Sequence, residues 1–225
     1  KEGVQMKFDA VVGNPPYQEM TGGYGTQAKP IYNLFIDMSK AINLTDVNQL
    51  FYGCGNLRTI KFSNSIKKID SFSFDYCVTL DNVVLPEKLE VIGDYAFAAC
   101  TNLKSIDFTK CSLLTTIGGG AFGSCSNLSS VDFSKCKSLL SIGNGALSKC
   151  NKITVLDFFA TSLETINNNA FSDCSAIKTI NFPSTLKTIG TSVDMEKLTE
   201  DDLNKIMTNL QNNKFVVSVM SLLMG

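Results

Sequence analysis

Six of the eight cysteines recur along the chain at nearly constant spacing. The intervals between them are 23, 23, 25, 25 and 24 residues, counted over Cys54, Cys77, Cys100, Cys125, Cys150 and Cys174. A fixed period in the twenties is typical of repeat proteins in which each repeat forms one coil and stacks on the next. The spacing therefore predicts a solenoid of about six coils.

The apolar residues keep the same phase as the cysteines. In the third repeat, Leu103, Ile106 and Phe108 follow the cysteine, and a second apolar pair, Leu114 and Ile117, comes after a short polar stretch. The extra residues of the longer repeats all fall between these two apolar segments. This arrangement predicts two short strands in each coil, with length variation confined to the corner that joins them.

The segment IGDYAFAAC at residues 92–100 resembles the repeat unit of BspA-like leucine-rich repeats, and the resemblance extends over residues 44–191. It implies a leucine-rich-repeat solenoid with short parallel strands and irregular or short helical returns. It also implies a non-enzymatic, adhesion-type module without a cofactor, which binds a protein ligand. We therefore expect a bacterial cell-surface or secreted protein.

The phased cysteines allow more than one interpretation. The chain has no histidine, which excludes Ser-His-Asp and Cys-His catalysis and mixed Cys/His zinc sites. Disulfides or a metal site remain possible, but buried thiols are expected, because free cysteine is among the most buried residue types. No metal site is predicted. Cys111 and Cys136, which lie outside the period in matching insertions, are predicted as candidates for exposed thiols.

The residues between the apolar anchors of the first strand should face solvent on one side of the solenoid. Asp107, Asp132 and Asp157 form an acidic row there. The row is interpreted either as a cation site or docking stripe for a basic partner, or as a solvated face balanced by nearby lysines. The predicted binding face comprises Thr59, Lys61, Asn82, Ser105, Asp107, Ser130, Asp132, Asp157, Thr179 and Asn181.

A different motif precedes the repeats. Asn14, Pro15, Pro16 and Tyr17 follow a short apolar segment, FDAVV, and resemble motif IV of the adenine-N6 DNA methyltransferases. The resemblance implies that Asn14 and Pro15 accept the hydrogens of the adenine amino group and that Tyr17 stacks on the flipped base. The alternative function is thus part of a cytoplasmic restriction-modification methyltransferase that uses S-adenosylmethionine and binds DNA.

The cofactor-binding half of such an enzyme is expected well upstream of this motif, whereas seven residues precede Phe8. No strand, Gly-rich turn and helix of that kind is predicted between residues 44 and 225. We therefore expect no methyltransferase activity from this chain. The segment is either a fragment fused to the repeats or part of a longer methyltransferase. The net charge of −1 gives no electrostatic reason to expect nucleic-acid binding.

The predicted domains are a methyltransferase-like segment at 1–43, the repeats at 44–191 and a tail at 192–225. A solenoid needs caps at its ends. Residues 30–42 are predicted to form an amphipathic helix that caps the first coil, and residues 198–213 a second helix that caps the last. No apolar run in the sequence reaches the length that a membrane span requires.

Overall fold

The computed structural model of the chain describes residues 51–190, together with the backbone of strand β1 at Leu34–Asp37. The described repeats contain six pairs of short strands, one pair in each coil. Their bounds are β2 Leu57–Lys61, β3 Lys68–Ile69, β4 Asn82–Val84, β5 Val91–Ile92, β6 Ser105–Ile106, β7 Thr116–Ile117, β8 Ser130–Val131, β9 Ser141–Ile142, β10 Val155–Asp157, β11 Thr165–Ile166, β12 Thr179–Asn181 and β13 Thr188–Ile189.

The two strands of each coil belong to two separate faces. Face A contains β1 and the even-numbered strands, in the ladders β1-β2-β4, β6-β8 and β10-β12. Face B is a single six-stranded sheet of β3, β5, β7, β9, β11 and β13. Every pair is parallel, and residues one repeat apart face each other, as Ile117 faces Ile142. The solenoid of parallel strands predicted from the period is confirmed.

The core consists of columns of equivalent side chains from successive coils. In one column the rings of Phe51, Phe74, Phe97 and Phe122 stack with centroid distances of 5.2, 5.2 and 5.4 Å. A second column stacks the rings of Phe108, Phe133 and Phe158 at 5.1 and 5.0 Å. Aromatic contacts at these distances add to the gain from burying apolar area. Each coil therefore completes the core of its neighbour.

The third side of each coil is a tight turn that contains the phased cysteine. We call the stack of these turns the turn ridge, which comprises residues 51–56, 70–79, 93–102, 118–127, 143–152 and 167–176. Backbone hydrogen bonds join its coils: the N–H of Phe74 donates to the carbonyl of Ala96 at 2.8 Å, and that of Phe97 to Ala121 at 2.8 Å. The ridge is thus held by backbone atoms, whatever side chains it carries.

Strand β1 contradicts the prediction that a helix at residues 30–42 caps the first coil. Residues 34–37 lie within the helix predicted at 30–42, yet they form a strand that pairs in parallel with β2, with Leu34 opposite Leu57 and Ile36 opposite Ile60. The physical reason is the edge of β2, whose backbone N–H and C=O groups require partners, which an extended segment supplies. The rest of that helix and the one predicted at 198–213 lie outside the described residues.

The returns between the strands are turns, and residues 51–190 include no helix. Accordingly, none of the described residues belongs to a helix long and apolar enough to span a membrane. The predicted domain boundaries at residues 43 and 191 stay predictions.

Close coil packing can be tested at Gly93, where the chain leaves face B. A Cβ built on Gly93 would lie 2.6 Å from the backbone nitrogen of Ser71 and 2.8 Å from the carbonyl carbon of Asp70. We expect Gly93→Ala to lower the free energy of unfolding by about 1–3 kcal/mol, because the preceding coil must move. Urea denaturation followed by circular dichroism measures the change.

Gly55→Ala is the matched control, since the nearest atom to its Cβ is 3.9 Å away. That substitution should leave stability unchanged or raise it by about 0.4–1 kcal/mol through the unfolded state. Equal unfolding free energies for the two variants would contradict the close packing at Gly93.

Candidate interaction surface

The structure places the ten predicted binding residues together on face A. Most of them are exposed, and Thr59, Thr179 and Asn181 are half-exposed. The ladders align them: Thr59 lies opposite Asn82 and Ser105 opposite Ser130. The face is formed by small polar side chains in rows that run along the solenoid axis.

The three aspartates of face A also organise the corner that follows each strand. Asp107 Oδ1 accepts hydrogen bonds from the backbone N–H of Thr109 at 2.9 Å and from its hydroxyl at 2.6 Å. In the same way Asp132 accepts the N–H of Ser134 at 2.8 Å, and Asp157 that of Phe159 at 2.9 Å. An aspartate is thus favoured at each of these corners, because its carboxylate accepts the backbone N–H of the second residue after it.

These hydrogen bonds also favour the ionised carboxylates. The side-chain and backbone donors of Thr109 lower the pKa of Asp107, with a smaller contribution from Lys110. The Ser134 donors, with Lys135, lower the pKa of Asp132. At neutral pH these exposed carboxylates are ionised with or without the shift, so they place negative charge on face A. In residues 51–190 no three Cys, Asp or Glu side chains are grouped so that they could hold a metal ion.

The phased cysteines form a ladder of free thiols. In the buried part of the ladder each thiol donates to a carbonyl of the preceding coil: Cys100 Sγ lies 3.2 Å from Phe74 O, and Cys125 Sγ lies 3.1 Å from Phe97 O. Burial raises the pKa of Cys125 to about 12. The prediction of buried thiols is confirmed, and the thiol column joins the coils in addition to the backbone bonds.

The prediction of exposed thiols at Cys111 and Cys136 is wrong. Both side chains are fully buried, and desolvation raises the pKa of each to about 12. The insertion closes a tight turn in which Cys111 N–H donates to Phe108 O and Leu114 N–H to Cys111 O. The turn points the thiol inward, into the same core cluster as Phe108 and Leu114.

The sequence analysis did not identify an aromatic group on the turn ridge. Tyr52, Tyr76 and Tyr95 are 44%, 55% and 47% exposed, and the half-buried ring of Phe72 stacks on Tyr95 at 5.1 Å. The signal was present as a departure from the repeat. Five residues before the cysteine, later coils have Gly120, Gly145 and Asn169, where the early coils have Phe72 and Tyr95.

Comparison with known proteins decides the family. A model of the BspA-type leucine-rich-repeat region matches the chain in six copies, over residues 43–154 and 112–220. The chain belongs to the BspA-type leucine-rich-repeat family. A second model, of the Eco57I restriction-modification methylase, matches residues 1–74. Within that match residues 51–74 form part of the BspA-type solenoid, while Asn14, Pro15, Pro16 and Tyr17 lie outside the described residues.

The chain is similar to several solved structures. A leucine-rich-repeat protein from T. pallidum is similar with a TM-score of 0.61 at 22% identity, over 81% of this chain and 79% of that one. A leucine-rich-repeat protein from Bacteroides ovatus is similar with a TM-score of 0.36 at 27% identity, over 64% of this chain and 47% of that one. A leucine-rich cell surface protein from Faecalibacterium prausnitzii has a TM-score of 0.26 at 17% identity, over 70% of this chain and 64% of that one. No curated protein matches the chain. The likeness to the T. pallidum protein shows the fold of this BspA-type chain.

The buried thiols of this BspA-type solenoid should resist alkylation. Near pH 8 a thiol with a pKa of about 12 is almost entirely protonated, and the thiolate is the reactive form. We expect iodoacetamide to modify the half-buried Cys54 slowly and the other cysteines only after unfolding in urea. Mass spectrometry of the intact chain and its peptides counts the modified sites.

Cys54→Ser provides the control, because the folded variant should take up no label on this time scale. Rapid modification of Cys111 or Cys136 in the folded chain would contradict their inward placement.

Proposed function

We propose that this chain is a protein-interaction module that binds a protein ligand through face A. The observation that supports the proposal is the alignment of the ten exposed or half-exposed binding-face residues in rows along the three parallel ladders of face A. Their backbones are held by the strand pairing, so a ligand can contact side chains from several coils without ordering a loop. Rows of side chains that extend over several coils suit a folded protein better than a small molecule, which requires a concave site.

The charge of face A favours a ligand with basic side chains. Asp107 and Asp132 are exposed carboxylates that are ionised at neutral pH, and their hydrogen bonds lower the pKa of each further. Complementary charge raises the rate of association and selects among partners more than it raises affinity.

Membership of the BspA-type family supports the further proposal that the protein acts at the surface of a bacterial cell or outside it, in an adhesion role. The burial of seven thiols is compatible with an oxidising environment.

The use of face A can be tested with a matched pair of double variants. Ser105→Arg with Ser130→Arg places two large side chains at facing positions of β6 and β8, while Thr116→Arg with Ser141→Arg does the same at β7 and β9 on face B. Proteins captured by each immobilised variant from a bacterial or epithelial surface extract are quantified by mass spectrometry. We expect the face A variant to capture at least about tenfold less ligand than the parent chain, because the large side chains prevent close contact.

The face B variant carries the same added charge and should keep its ligand. Asp107→Asn with Asp132→Asn should weaken binding, with most of the change in the association rate. Equal losses for the face A and face B variants, or losses confined to face B, would contradict the proposal.

A second candidate function is a part in adenine-N6 DNA methylation, which is favoured by the methylase match over residues 1–74. Asn14, Pro15, Pro16 and Tyr17 would contact the adenine in that case. Residues 51–190 form a solenoid whose core is filled by stacked side chains. They do not form the doubly wound sheet that typically binds a nucleotide cofactor such as S-adenosylmethionine, which argues against methylation by these residues alone.

Calorimetric titration of the purified chain with S-adenosylmethionine separates the two functions. We expect no heat of binding at ligand concentrations up to the millimolar range, because the described coils supply no cofactor site. Micromolar binding that is lost in Asn14→Ala with Tyr17→Ala would favour the methyltransferase function. The face A variants serve as a control, since they should not affect such binding.

A further inference from the structure

The fifth coil, which contains β10 and β11, departs from its neighbours on the exposed side of face A. Val155 of β10 is 48% exposed, and Phe159, at the corner that follows this strand, is 76% exposed. Val155 occupies the repeat position of Ser130 in the fourth coil, and Phe159 that of Ser134. Single exposed apolar residues are common on protein surfaces, but these two lie in one coil of a mainly polar face. The fifth coil thus presents two apolar side chains where the fourth presents two serines.

The aspartate between these two residues is retained, whereas the lysine that accompanies it in other coils is replaced. In the fourth coil Lys135 comes three residues after Asp132 and helps to lower the pKa of its carboxyl. The third coil has the same arrangement. In the fifth coil Ala160 takes the position of the lysine, three residues after Asp157. This corner therefore keeps the negative charge of the acidic row without the positive charge that follows it in the two preceding coils.

Hydrogen bonds order the corner of the fifth coil. The N–H of Phe158 donates to Asn181 O at 2.8 Å, so the ladder bonding continues to the residue before Phe159. The N–H of Phe159 donates to Asp157 Oδ1 at 2.9 Å, and the hydroxyl of Thr161 donates to Phe158 O at 2.7 Å. The carboxylate thus contacts the backbone of the residue that carries the exposed ring. A ligand that binds to both orders no loop.

Val155, Asp157 and Phe159 form an apolar, acidic and apolar sequence along one coil. Aromatic side chains at the centre of an interface carry a large share of the binding energy, and the charges beside them select the partner. The negative charge disfavours an anionic membrane surface, to which an exposed ring alone could bind. A complementary surface therefore belongs to a protein and presents a basic side chain with apolar side chains on both sides.

We propose that Val155, Asp157 and Phe159 determine which ligand face A binds, and that they contact a lysine or arginine flanked by apolar side chains of a partner protein. This inference rests on the proposed function of face A and names the chemistry of its ligand. The basic side chain is attracted by Asp157 and also gains from the face of the Phe159 ring. The fourth coil, with serines and a lysine at the equivalent positions, offers such a ligand no apolar contact.

Nuclear magnetic resonance titration of the whole chain with a short peptide tests the contact. When extended, the probe acetyl-Leu-Ser-Lys-Ser-Leu amide presents its leucine and lysine side chains on one side, about 7 Å apart, as alternate residues of a strand do. We expect saturable shifts of the Val155 methyl and Phe159 ring signals. A probe with glutamate in place of lysine, and one with serine in place of both leucines, should each bind at least about fivefold more weakly. No saturable shift with the first probe, or equal binding of either control peptide, overturns the proposal.

Variants that introduce residues of neighbouring coils separate recognition from folding. Phe159→Ser and Ala160→Lys should each weaken binding of the lysine probe at least about fivefold, the first by removing the ring and the second by adding positive charge near Asp157. Both should keep the melting temperature of the parent, because the two side chains are exposed. Leu140→Thr changes another exposed apolar residue, beside face B, to the residue of the third coil and should bind as the parent does. Unchanged binding in Phe159→Ser or Ala160→Lys, or an equal loss in Leu140→Thr, overturns the proposal.

The same variants distinguish this inference from the function proposed for face A, which is tested by arginines in the third and fourth coils. A captured ligand that is lost in Ser105→Arg with Ser130→Arg but kept in Phe159→Ser would support face A as the binding surface and overturn the contact at the fifth coil. A ligand that the face A variant keeps, together with peptide binding that Phe159→Ser loses, would contradict the proposed function and leave the peptide contact in place.

Discussion

The structure depends on the fact that one coil cannot bury its own apolar residues. A coil of about 24 residues has an apolar cross-section on both sides, and it is stable only when a neighbouring coil covers each side. The stacked phenylalanines, the in-register strands and the thiol ladder all meet this single requirement. The stacking extends to β1, whose backbone pairs in parallel with β2 and supplies partners to the edge of that strand.

The repeat could be predicted from the sequence because stacking imposes the same environment at the same position of every coil. A column of leucine, isoleucine or phenylalanine at a fixed period of this length is typical of stacked coils. The period therefore predicts the strands, the buried thiols and the residues of face A. The helix predicted at 30–42 is wrong at Leu34–Asp37 for a related reason. Its apolar spacing suits a helix in isolation, but an unpaired strand edge next to it favours the extended backbone.

Single insertions and single departures from the repeat are harder to interpret. Cys111 and Cys136 have no equivalent in the shorter coils, so the period gives no environment for them. Their inward direction follows from a turn whose hydrogen bonds become evident only in three dimensions. The aromatic residues of the turn ridge, in contrast, lie at positions that recur in every coil. Phe72 and Tyr95 occupy a repeat position where later coils have Gly120, Gly145 and Asn169, and only the backbone φ values show that this position is left-handed.

A solenoid held mainly by backbone bonds separates stability from recognition. On the turn ridge, the N–H of Tyr76 donates to Ala98 O and that of Ser124 to Ser148 O, so the bonds persist whichever side chain is present. A coil can therefore exchange a small residue for tyrosine, or alanine for Asp75, at a local cost that neighbouring coils absorb. Departures from the repeat that lower local stability can then persist in one coil, because the backbone bonds that stack the other coils are kept.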